Sequence, residues 1–374
     1  MLRRLFIAFI EKKYPVKEAI TDSEKQALYK LRFTIYKSEL NKSNINNSIE
    51  QNKHIQDTED NNESTRLYYI NCPKTKKPIA TFRLQQFNSN SASDTLNKHY
   101  AINAYHCLSN KQLIDISRFM IHKKSRKSLL VVSMAIFIYK YCMKHHIDAG
   151  FLHCAPGLAK RYQLFGYRRY RATLIHSNDG VRLPMINIFT DKAYYKAMKS
   201  PLLPLVIDYS AQKSSTFLLD CQNEQLFTDD SSSISALMAN PKAQSLLQDL
   251  SADDIQLLLE NGLIVHLEKH VRVLAEGLVE KELYMLLSGN LEVKRNDRVL
   301  AHLSDGDLFG EMAFLSDSGK RQATVYTTSP CTLFMLSRNF IQRLSTEHKD
   351  LSIKLLLNIA SQLGEKLKRS NKRI

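Results

Sequence analysis

The run Phe309-Gly310-Glu311-Met312-Ala313-Phe314-Leu315, then six turn-forming residues (316–321) and Gln322-Ala323-Thr324-Val325, constrains the fold of this chain more than any other stretch. A leading glycine lets backbone N–H groups approach an anion closely, and a carboxylate within two strands' reach of an arginine divides the work of binding. Arg321 suits a phosphate and Glu311 a sugar hydroxyl. The surroundings fit such a cradle. A helix over 252–261 precedes many short strands separated by Gly/Asp turns such as Ser288-Gly289-Asn290 and Asp305-Gly306-Asp307. That spacing predicts a small β-barrel or jelly roll, closed by a long amphipathic helix over 345–370.

In motif and in the barrel from about 246 to 368, this segment resembles the phosphate-binding cassette of the cyclic-nucleotide-binding domain family. The resemblance implies Glu311 on a ribose hydroxyl, Arg321 on a cyclic phosphate, and Gly310, Met312, Ala313, Gln322 and Ala323 completing the cradle. Phe314 stands where a smaller aliphatic is usual, and Gln322 where Ala, Ser or Thr is commoner. These departures leave open cyclic AMP, cyclic GMP or an unliganded turn as the outcome. The chain stops at Ile374, so no DNA-reading module is expected after the last helix. Leu351, Leu355, Leu356, Ile359, Leu363 and Leu367 give that helix an apolar face to pack on the barrel, on the first domain or on a second copy as a homo-oligomer.

Charge separates the two halves. Residues 1–209 carry 34 Lys/Arg against 16 Asp/Glu, whereas residues 210–374 carry 19 against 21. The first half is therefore the part expected to meet something anionic: nucleic acid, an anionic lipid surface or an acidic carrier protein. Polar stretches at 41–63 and 222–235 punctuate the chain, and the division expected is a first domain over 1–209, a linker over 210–244 and a second domain over 245–374. Six cysteines are scattered singly, which suits buried thiols in a reducing cytoplasm. No apolar run approaches the roughly 18 residues of a spanning helix. The start, Met1-Leu-Arg-Arg-Leu-Phe-Ile-Ala-Phe-Ile10 followed by Glu11-Lys12-Lys13, reads as folded or surface-docked rather than exported. A bacterial-type cytoplasmic protein, peripheral to the inner face of the membrane, is the localisation these features favour.

The first half reads as a mixed α/β sheet with flanking helices. Helices are expected over 24–40, 128–145 and 157–165. Strands are expected over 67–72, 79–87, 113–121 and 150–154, and near 173–176 and 185–189. Leu158 to Tyr167 forms a helix that breaks at Gly166 and re-enters a strand. This resembles the late helix of the Gcn5-related N-acyltransferase fold and would make Tyr162 the acid that protonates the leaving thiolate. Leu31-Arg32-Phe33, Ala80 to Leu84 with Arg83, and Ile114-Asp115-Ile116-Ser117-Arg118-Phe119 occur in the order of the autoinducer-synthase and N-acyl amino acid synthase branch. The acidic pair Asp57 and Asp60 resembles that branch's paired acids, and Asp115 stands where the branch usually has Glu.

An amine must lose a proton before it attacks a thioester, so carboxylates near central strands can accept that proton or hold an ammonium. Arg32, Arg83 and Arg118 can orient them or grip a substrate carboxylate. A purely structural ion network is the alternative. The turn His122-Lys-Lys-Ser-Arg-Lys-Ser128 lacks the glycines with which acetyl-CoA-using members bind pyrophosphate. Its His122, Lys123, Lys124, Arg126 and Lys127 would suit an acidic acyl carrier protein, the donor the resembling branch often uses, with acyl-CoA as the other candidate. His145-His146 and His153-Cys154 lack a third ligand at zinc spacing, so no metal is expected. The sequence thus points to an N-acyltransferase acting on an amine or amino acid under cyclic-nucleotide control. A regulated protein lysine acetyltransferase and a non-catalytic sensor are the other readings it admits.

Overall fold

A computed structural model describes residues 2–41, 53–126, 129–170, 175–177, 180–210, 216–227 and 241–371. They fall into two compact units. One comprises Met1–Cys154, Leu158–Arg171 and Leu183–Thr228, and the other Ala155–Gly157, Ala172–Arg182 and Asp229–Ile374.

The first contains a sheet built from β1 (Lys17–Glu18), β2 (Thr65–Asn71), β3 (Pro78–Asn88), β4 (Gln112–Ile121), β5 (Ala149–Cys154), β6 (Tyr167–Arg169) and, from Leu183 on, β8 (Gly180–Ile188); β7 (Ile175–Ser177), paired to the start of β8, falls among the second unit's residues. The order is β1-β2-β3-β4-β5-β8-β6. Neighbours are antiparallel except β4 and β5, which run parallel and pair only at Leu113↔Ala149, Ile114↔Gly150 and Asp115↔Phe151. Both strands continue past that point without pairing to each other, so the centre of the sheet is splayed.

Period-two alternation assigns the two faces. Leu84 and Ile116 are cross-strand partners on one face. That face packs on the apolar helix Leu130–Lys144, with Phe137 set 4.7 Å from Tyr68 and 5.9 Å from Phe82, ring centre to ring centre. The partner pairs Arg83↔Ser117 and Gln85↔Asp115 share the other face. Between Thr81↔Met120 and Arg83↔Ser117 the register slips, and Arg118 takes a left-handed φ of 51° there. This is a β-bulge, which re-aims one side chain at the cost of local strain.

The helix expected over 24–40 is in fact two pieces. Thr21 and Glu24 form a capping box that starts an α-helix at Asp22–Phe33, and Thr34–Glu39 continues as a π-helix. The span taken as a linker is partly folded. Phe217–Asn223 is helical, and Phe217, Cys221 and Leu226 are buried with Leu96, Tyr100 and Phe151 in the first unit's core. Apolar spacing in so short a helix gives too few turns to be recognised. Residues 42–52 and 228–235 of the two polar stretches, and Thr173, lie outside the described residues.

The second unit holds β9 (Leu263–Leu267), β10 (Arg272–Leu274), β11 (Glu282–Ser288), β12 (Leu291–Arg295), β13 (Arg298–Leu303), β14 (Leu308–Phe309), β15 (Thr324–Thr327) and β16 (Cys331–Ser337). They make two antiparallel sheets, ordered β10-β15-β12-β13 and β14-β11-β16-β9. The single long helix expected at the end is two helices, Arg338–Glu347 and Lys349–Asn371, broken at His348, whose ψ of 68° leaves the helical range. Leu351, Leu355 and Ile359 are buried in one core with Leu283, Met285, Phe314 and Phe334, so this part of the expected apolar face packs on its own sandwich, while Leu356 is exposed. Each such buried aliphatic contributes about 1.5–3 kcal/mol.

Candidate active site and nucleotide cradle

On the polar face of β3 and β4 the structure gathers Arg32, Asp57, Asp60, Arg83, Ser117 and Arg118 into one network. Asp57 caps the 3-10 turn Thr58–Asn61, and its N–H donates to Asp60 Oδ2 at 2.8 Å. The bulge turns Arg118 so that Nε and Nη2 grip the two Asp57 oxygens, each at 2.5 Å, while Nη1 donates to the Tyr36 hydroxyl. Arg83 donates to Ser117 Oγ at 2.9 Å and to Asp57 at 3.1 Å. Arg32 is fully buried and donates to Asp60 at 2.5 Å, yet among the described residues its Nε and Nη2 have no hydrogen-bond partner. Burial opposes the charge on Asp60, but the Arg32 hydrogen bond and charge prevail and hold its carboxyl below the ordinary value. Asp57 and Asp60 are therefore engaged acids that fasten their turn to the sheet.

Asp115 is different. It is buried on the same face and accepts a 2.5 Å hydrogen bond from the hydroxyl of fully buried Tyr100, whose oxygen lies 3.4 Å from His153 Nδ1. Among the described residues no arginine is ion-paired to it. Burial, and then the Asp115 charge, push the Tyr100 hydroxyl well above its ordinary value, so it stays a donor. Tyr100 was not singled out from sequence, and His153 was weighed there only as a metal ligand. Tyr100 ends the short helix Asp94–Tyr100 outside any motif, and the chain reversal that brings it to β4 leaves no local signature.

Where β4 and β5 part, a narrow apolar cavity is lined by Ile116, Phe119, Leu152, Ile138, Tyr139, Tyr162 and Phe165. Tyr162 thus stands in this cavity, edge-on to Phe119 and Tyr167, apart from the arginine–aspartate network. Burial pushes its hydroxyl up, keeping it protonated. The helix behind it, Ala159–Gln163, ends where Gly166 takes a φ of 93°. A Cβ at Gly166 would lie 2.2 Å from the Tyr195 ring.

The basic turn forms a 3-10 helix at Lys123–Ser125. Glu39 at the end of the π-helix ion-pairs Arg126, lies 3.6 Å from His122 and accepts the Lys123 N–H at 3.1 Å. Exposed Lys123 and Lys124 keep their side chains toward solvent, and Lys127 lies outside the described residues.

In the second unit Gly310 takes a φ of 80° ahead of the helical turn Glu311–Leu315, and a Cβ there would sit 2.7 Å from Arg321 Nη1. The glycine is required by both conformation and space. Arg321 is buried, with Nη1 donating to the Glu282 and Gly310 carbonyls at 2.9 and 3.1 Å and Nη2 to the Glu282 carboxylate at 3.3 Å. Among the described residues its Nε has no hydrogen-bond partner, and the Glu280 carboxylate lies 3.8 Å from it. Burial, and next the Glu280 charge, raise Glu282 to about 7 against the pull of Arg321. Glu311 accepts from Lys366 Nζ of the last helix at 3.2 Å, and the same ammonium donates to the Leu308 carbonyl at 3.1 Å. Ala313 and Phe314 are buried, whereas Met312 and Gln322 are exposed. Glu282 and Lys366 were missed because neither lies in the 309–325 motif.

Residues 27–191 match the family of the N-acyl amino acid synthase FeeM, and residues 264–348 match the cyclic nucleotide-binding domain family. The two halves thus carry the two resemblances legible in their motifs. Among individual proteins, the chain is similar to glutaminase 2 of Bradyrhizobium diazoefficiens, with 30% identity over 132 residues covering 35% of this chain and 21% of that one. It is also similar to a cAMP-dependent protein kinase regulatory subunit of Eremothecium gossypii, with 36% identity over 104 residues covering 28% and 22%. The chain spans only about a fifth of the length of these two relatives. A cyclic nucleotide-binding domain from Methylobacillus flagellatus KT aligns with 39% of this chain and 84% of its own at 20% identity and a TM-score of 0.35.

Proposed function

We propose that the first unit is an acyltransferase-fold enzyme that moves an acyl group from a thioester to the amine of an amino acid or related compound, and that the second binds a cyclic nucleotide that regulates it. The carrying observation is that Asp115, alone among the clustered acids, is held by a tyrosine hydroxyl and no arginine, beside the splay that opens onto the apolar cavity. In this reading Asp115 takes the ammonium proton. The freed amine attacks the thioester carbonyl, a C–N bond forms as the C–S bond breaks, the Tyr162 hydroxyl protonates the departing thiolate, and the second proton that the nitrogen sheds on becoming an amide restores the Tyr162 phenol. Arg118, the most accessible of the three arginines with 29% of its side chain exposed, is suited to a substrate carboxylate. The cavity suits the acyl chain. Lys123 and Lys124 suit an acidic acyl carrier protein better than a pyrophosphate, because their turn offers no glycine.

Arg321, buried with an unsatisfied Nε, suits a cyclic phosphate, and Glu311 a ribose hydroxyl once Lys366 has left it. Since Lys366 lies on the last helix, nucleotide binding would shift that helix, and a ligand that favours one arrangement shifts the equilibrium. The test is mass spectrometry of lipid extracts from cells expressing the intact chain or Asp115→Asn. A new N-acyl species confined to the intact chain supports the synthase. Identical extracts, together with no turnover of acyl carrier protein thioesters in vitro, overturn it.

A further inference from the structure

We propose that the outer face of the helix Leu2–Lys13 docks this protein onto an anionic lipid bilayer surface. The inference does not rest on the acyl-transfer reading. The helix has two apolar faces. Ile7 and Ile10 are buried, and the chain just beyond is tied inward by Ser133 Oγ donating to the Tyr14 carbonyl at 2.6 Å and by a Lys140–Glu11 ion pair. Leu5, Phe6 and Phe9 point the other way, at 60%, 44% and 53% exposure. At about 100° of rotation per residue these three share one sector, and Lys12 and Lys13 continue it one turn on. Scattered exposed apolar residues are ordinary, but two phenyl rings and a leucine gathered on one helix face mark a surface built for contact.

The charges identify the contact. Lys12 and Lys13 share the outer sector, the helix's one acid, Glu11, is taken by Lys140, and Arg4, off that sector, is ion-paired to Asp208. Lys13 Nζ lies 5.4 Å over the Phe9 ring, so a lysine stem runs along the apolar strip with its ammonium at the rim. Phenyl rings framed by ammonium groups fit acyl chains beneath anionic headgroups. An acidic protein or a nucleic acid would use the cations and leave the rings wet. A second copy would set like charges against this face with no acid on it to answer them. Twelve residues reach only about 18 Å, so the helix would lie in the plane of the surface rather than cross it.

The experiment is flotation of the full chain with vesicles of phosphatidylcholine alone and of phosphatidylcholine with one quarter phosphatidylglycerol. Binding to the anionic vesicles is expected. It should fall at least about tenfold in the double variant Phe6→Ser, Phe9→Ser and about tenfold in Lys12→Ser, Lys13→Ser, with unchanged far-UV circular dichroism and thermal transition. No flotation with anionic vesicles, or flotation unaltered by the phenylalanine pair, overturns the proposal. So does a dimer in sedimentation velocity that Phe6→Ser, Phe9→Ser dissolves, since that gives the face to a second copy.

Discussion

Asp57 and Asp115 are both carboxylates on one face of one sheet, yet their neighbours give them opposite uses. Two guanidinium groups hold Asp57, so its charge is tied up in fastening a turn, while Asp115 meets a phenol that remains protonated. Asp115→Asn should lower kcat by about 10²–10⁴, whereas Lys124→Ser should mainly raise KM for the carrier-bound donor. Comparable, mild losses in both would return the cluster to a structural network. At the nucleotide cradle, Glu282 competes with an incoming phosphate for Arg321 when it is ionised. Its raised value of about 7 means that it is neutral below that pH and charged above it. Cyclic AMP affinity, measured by calorimetry, should therefore weaken as pH rises from 6 to 8, by about tenfold per unit at most. Glu282→Gln should flatten the profile. A pH-independent wild-type affinity would show that the carboxylate does not compete. The sequence named Asp115, Arg321 and Glu311 because local motifs carry them. It could not name Tyr100 or Glu282, which reach their sites through chain reversals.

Elements carry the next level of meaning. The turn bearing Asp57 and Asp60 is held to the helix Asp22–Phe33 by Arg32, whose side chain and that of Asp60 are both fully buried. Asp60→Ala would strand a buried guanidinium, at a cost of about 3–5 kcal/mol, seen as a large fall in thermal midpoint. Because the Asp60 carboxyl is held below its ordinary value, its contribution is complete above the ordinary carboxylate range and is lost as pH falls through the lowered value. The last helix is latched at Glu311 by Lys366, a partly exposed pair with 38% and 16% of the two side chains accessible. Lys366→Ala should tighten nucleotide binding only about twofold to fivefold, and weaker binding would mean that Lys366 instead assists the ligand. The strands 65–71, 78–88, 112–121 and 149–154 were legible to within two residues because alternation is local, whereas β8 begins five residues before the start expected for it. The breaks at Thr34 and His348 were not, since apolar spacing runs through both and tertiary packing decides where the turn changes.

For the molecule as a whole, the lopsided charge of the sequence includes exposed lysines on the first unit such as Lys123 and Lys124. Arginines there divide into surface cations and the buried set Arg32, Arg83 and Arg169, a distinction that composition cannot make. The two-unit division was legible from the change in strand pattern, but the helix Phe217–Asn223 extends the first unit beyond residue 209. If the second unit governs the first, Arg321→Ala should abolish any change of acyl-transfer rate on adding cyclic AMP while leaving the basal rate intact. A response that persists in this variant would place control elsewhere.

The π-helix Thr34–Glu39 has a bearing on how this scaffold can change. One extra residue per turn is the mark of an insertion accommodated without breaking a helix. Here it aims Tyr36 at Arg118 and Glu39 at the turn 122–126. Deleting a single residue would restore α-helical winding and swing everything beyond it by about 100°, withdrawing Glu39 from Arg126. A lineage could thus expose or neutralise that cationic turn through a single codon gained or lost, without altering any residue on the sheet.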